Sequence, residues 1–384
     1  MQLLDYKENN YIEGFYGLRA VACMGVFMVH FQQITGLNIQ WKGFDFSLLM
    51  KNGNTGVALF FILSGFLLSQ PFWLNKIHAE KKIGLWKYAI KRIGRILPAY
   101  YVCLTGLIIV QQRWDHSHAA GDILLHYLFL HNFSEQSIYS LNPPFWTLAV
   151  EMQFYLLLPI FFYFTRWFRP FFTCLIFFFL GAASYGIHLV VMNLASGIAQ
   201  WPFNHDILSP HGHVLERSIL AHMPLFMLGI AAGWLYIKKK ISNGGNKTPS
   251  VKNDMIVLLC FATTLIILGT GLDDMLTLPY GRYHYPYIPL LLAVIVLYIS
   301  FSAVSRLFLE SRFIKFIGII SYGIYIYHLP IQRFTEKMMT KGGVNIESNW
   351  MLFGVTAFMV SIVVAGFSYY TLESFSLNII RRYQ

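Results

Sequence analysis

Charge is the scarcest property of this chain. Only 12% of its 384 residues are Asp, Glu, Lys or Arg, where a soluble domain carries about a quarter. With 56% hydrophobic residues and a mean hydropathy of +0.52, a soluble globular enzyme is excluded and a polytopic membrane protein is implied. Cysteine is equally sparse. Cys23, Cys103, Cys174 and Cys260 all fall in apolar stretches, without metal-ligand spacing or a disulfide pattern, so they read as small core residues. No cleavable leader is visible, since Asp5, Glu8 and Glu13 precede the first apolar stretch. Nor is there an inverted repeat or a pair of Gly/Pro-broken spans, the pattern of many secondary transporters. Acids are fewer than bases, 18 against 29, but the excess needs no nucleic-acid partner, as its distribution shows.

What is abundant is apolar length. Stretches of about 20 apolar residues predict ten spans near 14–34, 55–75, 96–112, 146–165, 170–192, 218–237, 254–271, 285–303, 313–331 and 350–372. The third is short and can be extended back toward Lys87. With the N-terminus inside, the inner segments hold 20 Lys and Arg and the outer loops 8, with Arg19 left over. That bias predicts both termini on the cytoplasmic side and accounts for the net charge of +11. The fold class expected is an all-α bundle in one membrane domain over 1–384, with a flexible linker at 241–250 and no appended soluble catalytic domain. The longest outer loops are 113–145 and 193–217. The first contains GDILLHYLFLHNF, an amphipathic segment suited to the interface. The second holds His205, Asp206, His211 and His213, which read as solvated, and no metal is expected.

Ionisable groups inside spans are costly and mark function by default. Arg19 and His30 both lie in the first span. Eleven residues at 100° each make three turns and about 20°, so both face one side, about 16 Å apart along the axis. The inner loop before the third span reads KIHAEKKIGLWKYAIKRIGR. Arg92 and Arg95 sit three apart at helical spacing beside Lys91, able to clamp one anion, although topology or anionic lipid would also use such a cluster. Counted from the span ends, Glu151, His328 and His30 all fall in the outer half, with Arg19 in the inner half.

These residues sit in GLRAVACMGVFMVH, GVALFFILSGFLLS, KRIGRILPAYY, PPFWTLAVEMQFYLLLP and SYGIYIYHLP. In that order and spacing the chain closely resembles the acyltransferase 3 family of membrane acyltransferases, over nearly its full length. The resemblance implies about ten core spans and transfer of an acyl group, often acetyl from acetyl-CoA, to hydroxyls of envelope glycans or small glycosylated molecules. It also implies functional roles for Arg19, His30, Arg92 and Arg95. Thr147 and Met152 stand where the family often has Ser and Glu, and the latter removes a carboxylate. YYTLESF lacks the proline of the family's Glu-x-Pro ending.

The expected activity is therefore an acyl-CoA-dependent O-acetyltransferase of a bacterial inner membrane. Its acceptor would be a polysaccharide, lipopolysaccharide or other glycolipid. Arg19, Arg92, Arg95 and Lys91 would hold the phosphates of acetyl-CoA. His30 would be the general base, with Glu151 or His328 orienting it. Thr147 and Tyr325 would support the acceptor side. Two rivals stay open: relay through an acylated His30, and a non-enzymatic transporter or flippase. The acceptor is expected in the outer half, the alternative being acylation of a lipid-linked intermediate at the inner face.

Overall fold

The computed structural model describes residues 12–78, 84–115, 118–196, 210–244, 249–272, 283 and 285–382. Ten principal helices follow one another: α1 (Phe15–Thr35), α2 (Thr55–His78), α3 (Leu85–Val110), α4 (Trp146–Phe164), α5 (Pro170–Ser196), α6 (Ile219–Ser242), α7 (Val251–Thr270), α8 (Tyr287–Tyr298), α9 (Ser321–Lys341) and α10 (Trp350–Ser368). Each overlaps one expected span. Among the described residues the only sheet is a hairpin of two-residue strands, Gln40–Trp41 with Phe44–Asp45, so the bundle is all-α. Among the described residues seven helices, or eight if the bent pair Arg312–Ile319 and α9 is one span, are long and apolar enough to cross a membrane by length and composition. The expected ten is not reached on that measure, since α1 is not among the seven and the helical stretch at α8, Tyr287–Phe301, is short.

Two spans differ from expectation in form. The ninth is broken: Arg312–Ile319 meets α9 at 75°, and α9 then runs to Lys341. At the break the Ser321 hydroxyl donates to the Gly318 carbonyl at 2.8 Å. Gly318 itself lies so close to the Tyr16 carbonyl that no Cβ would fit. His328 is therefore well inside α9 and not near its end, because the helix continues beyond Leu329 for about three more turns whose charged residues an apolar-length rule does not count. The third span begins at Leu85, which moves Arg92 and Arg95 out of the expected loop and into a helix.

The centre of the bundle is α2. It packs along α6, where Gly65 lies against the Phe226 carbonyl and Gly229 against that of Ile62, too close for any side chain. Such close backbone approach is how helices associate where lipid gives no hydrophobic drive between them. Phe154 of α4 stacks on Phe226 with ring centroids 3.9 Å apart, and Trp73 donates its indole N–H to the Ile230 carbonyl at 3.0 Å. On the other flank, α1 meets α2 at Gly56, whose Cβ position is taken by the Ala22 carbonyl. Helix α10 ends in a π-turn, Tyr369–Glu373, and the chain stays helical to Arg382.

Candidate active site

Five of these helices contribute to one open pocket. Its wall includes Arg19 of α1, Ser64 of α2, Arg92 and Arg95 of α3, Thr147, Glu151 and Tyr155 of α4, and Tyr322 and Tyr325 of α9. The α4 residues recur every four positions, which on a helix is one stripe. Glu151 is fixed from two sides: the hydroxyls of Ser64 and Tyr155 both donate to its Oε1 at 2.7 Å. Arg19 Nε donates to the Ser321 hydroxyl at 3.2 Å. Arg92 lies 5.7 Å from the Tyr88 ring, and its Nε is buried without a hydrogen-bond partner. Glu373 of the π-turn, itself buried, is close enough to Arg95 for their charges to interact. Among the described residues no ion pair joins an acid to Arg19, Arg92 or Arg95. Three guanidinium groups thus face one space with a single lining carboxylate.

The histidines lie elsewhere. The His30 ring stands 5.2 Å from the His328 ring, and neither lines the arginine cavity. His30 Nδ1 is 2.9 Å from Gln33 Oε1. His328 is buried, with Nδ1 held 2.7 Å from the Tyr325 carbonyl oxygen and 3.2 Å from that of Ile324. Arg19 and His30 do share a helix face, since both meet α9, at Ser321 and at His328.

Tyr325 stands between the two groups. Its hydroxyl lies 2.6 Å from Thr147 Oγ1, while Thr147 donates to the Pro144 carbonyl at 2.9 Å. Its ring meets Phe60 edge-on at 5.7 Å and lies 6.0 Å from His328. Tyr325 and His328 are three residues apart, about 4.5 Å along the helix axis.

Two expected placements are corrected. Glu151 belongs with the arginines and not with the histidines. Counting residues from a span end gives height in the membrane but not direction around the helix, and the face of α4 that carries Glu151 turns toward α2. Lys91 is exposed and off the cavity wall, because one helical step from Arg92 rotates it by 100°. Ser64, Tyr155 and Tyr322 line the cavity unforeseen, although the four-residue spacing of Thr147, Glu151 and Tyr155 was there to be read. His205 and Asp206, and the side chain of His211, lie outside the described residues. His213 meets the Tyr139 ring edge-on at 5.9 Å.

In the segment 113–145, Asp122 is the hub of a small polar network. Arg113 Nε donates to it at 3.2 Å and the Ser140 hydroxyl at 2.8 Å, and His126 Nδ1 is 3.3 Å away. Burial raises its pKa, but hydrogen bonds from His126, Ser140 and Ser137 outweigh that and hold it at about 2. His126 stacks on His131 at 4.2 Å. Burial, then the neighbouring His126, lowers the His131 pKa to about 3.

A family model described as an acyltransferase domain, Acyl_transf_3, matches residues 12–370. The chain belongs to the acyltransferase 3 family. It is 23% identical over 366 residues to the O-acetyltransferase OatA of Staphylococcus aureus (strain NCTC 8325 / PS 47), covering 92% of this chain and 56% of that protein. A second Staphylococcus aureus protein, from strain COL and assigned by name to the O-acetyltransferases, is 24% identical over 387 residues, covering 96% of this chain and 58% of its own length. The chain thus spans under two thirds of these relatives. No solved structure matches it.

Proposed function

We propose that this acyltransferase-family membrane protein is an O-acetyltransferase that moves acetyl from cytosolic acetyl-CoA to a hydroxyl of an envelope glycan or glycolipid. The observation that carries the reading is the pocket with three half-buried arginines, one of them with a buried and unpartnered Nε, and, among the described residues, no ion pair to them. Like charges gathered on one wall repel, so such a wall suits a polyanionic ligand, and the phosphates of coenzyme A meet guanidinium groups with charge-assisted hydrogen bonds. Glu151, tethered by Ser64 and Tyr155, would sit at the donor's end.

A route from the arginines to His30 would run along α1 and α9, past Tyr325 and Thr147. The acyl end of the donor would follow it. At its far end a neutral imidazole takes the proton of the acceptor hydroxyl as that oxygen attacks the thioester carbonyl. The relatives' name, O-acetyltransferase, supports acetyl as the acyl group. The charge bias of the loops supports a cytoplasmic membrane with the donor entering from inside.

The test is reconstitution in liposomes with labelled acetyl-CoA and base-treated envelope polysaccharide. Release of free coenzyme A should match ester formed, and both should vanish in an Arg92→Ala/Arg95→Ala double variant. Movement of glycan across the bilayer with no coenzyme A released would overturn the reading in favour of transport.

A further inference from the structure

The geometry points to His328 as a positioning residue for proton transfer, its Nε2 lone pair accepting the N–H that His30 gains when it deprotonates the acceptor. The inference rests on reading His30 as the base. It starts from what His328 Nδ1 touches, the carbonyl oxygens of Tyr325 and Ile324 at 2.7 and 3.2 Å. A carbonyl oxygen only accepts, so Nδ1 carries a hydrogen and the neutral ring keeps its lone pair on Nε2. That Nε2 is buried and has no partner, on a side chain 1% exposed. Unsatisfied buried polar atoms are rare in native proteins and ask for a reason.

The reason is the neighbouring ring. His30 stands 5.2 Å away, tilted by 35°, and its own Nδ1 is 2.9 Å from Gln33 Oε1. With the Gln33 amide oxygen accepting, His30 Nδ1 also carries the hydrogen and its Nε2 is the basic atom. Each imidazole is therefore tied to its own helix by Nδ1, and the Nε2 atoms of both remain for the reaction. Around the pair, the Phe27 ring is 6.4 Å and the Tyr325 ring 6.0 Å from His328, and the Arg333 guanidinium is near enough for its charge to act on His30.

The step balances as follows. The acceptor oxygen bonds to the thioester carbonyl carbon, and its proton goes to His30 Nε2. The His30 imidazolium N–H donates to His328 Nε2, which keeps the cation oriented without needing a carboxylate. When the C–S bond breaks, the coenzyme A thiolate takes that proton, and both rings return to their starting tautomers.

The experiment compares wild type, His328→Asn and His328→Gln in acetylation of base-treated envelope polysaccharide by acetyl-CoA, in ordinary and deuterated water. Asn keeps a donor at the Nδ1 position and loses the Nε2 atom, whereas Gln places a polar atom near Nε2. Removing the partner that orients a functional imidazole is felt as about 10–100-fold at metal sites. A kcat loss of that size is expected for His328→Asn, with KM for acetyl-CoA within about twofold and partial recovery in His328→Gln. The rate plotted against deuterium fraction should be straight in wild type, reporting the one proton that passes to His30. Wild-type kcat in His328→Asn, or a curved plot in wild type, overturns the proposal. The second outcome needs no variant to fold. A His30→Ala protein with normal turnover would instead sink the base assignment on which this depends, so the two failures are distinguishable.

Discussion

His30 and Arg92 are separable by experiment because their loss should fail in different ways. His30→Ala should lower turnover by about 10²–10⁴-fold, the usual worth of a general base, and leave membrane insertion and acetyl-CoA affinity unchanged. Turnover and filter binding on one preparation check this. Arg92→Ala and Arg95→Ala should each weaken acetyl-CoA binding by about 1.5–3 kcal/mol, the scale of hydrogen bonds to charged groups. The same variants should weaken binding of a dephosphorylated analogue less. Equal losses by calorimetry for both ligands would leave the arginines as topology markers. The sequence made the arginines legible because a cation in an apolar helix has few structural uses. It was less informative about hydroxyls. Ser64, Tyr155 and Tyr322 drew no assigned role from the sequence, and only three-dimensional packing reveals that two of them tether Glu151. Glu151 itself was legible as functional and assigned to the wrong neighbours, since sequence gives depth before it gives direction.

At the scale of elements, the packed glycines and the outer loop make distinct predictions. Gly65→Ala and Gly229→Ala would each push a methyl onto a carbonyl of the facing helix. Overpacking of this kind costs about 1–3 kcal/mol, so a lower Tm in detergent is expected, checked by fluorescence-detected size exclusion after heating. The loop around His131 should respond to pH. Its folded pKa of about 3 lies below the ordinary value of about 6.5. Between those values the unfolded chain binds more protons, so stability falls as pH drops through that window, by up to about 1.4 kcal/mol per pH unit for one full proton. Asp122, held at about 2, loses its contribution only between about pH 4 and 2 and is constant above. The fall in Tm from pH 7 to 5 should therefore flatten in His131→Phe, which keeps the ring that stacks on His126. Helix positions were largely readable from apolar length. The bend between Ile319 and Ser321 was not, because Ser321 and Gly318 break the helix through contacts that an apolar run does not record.

For the whole molecule the decisive question is sidedness. In sealed vesicles of known orientation, acetyl-CoA supplied to the face bearing the basic cluster should support acetylation of a glycan confined to the opposite face. Acetylation only when both substrates share one face would leave the chemistry and remove the crossing. The glycine contacts described above bear on how such a crossing can work. Helices α1, α2 and α6 touch backbone to backbone, at Gly56 with Ala22 and at Gly65 with Phe226. A machine that rocks between two faces must slide its halves past each other, and these seams have no slack for it. The bundle is better described as a stator. The rods stay put, and Tyr325, buried and with its hydroxyl held 2.6 Å from Thr147 Oγ1, stands between the arginine chamber and the histidine pair. A thioester parked among the arginines would then meet the histidines only by passing that one ring.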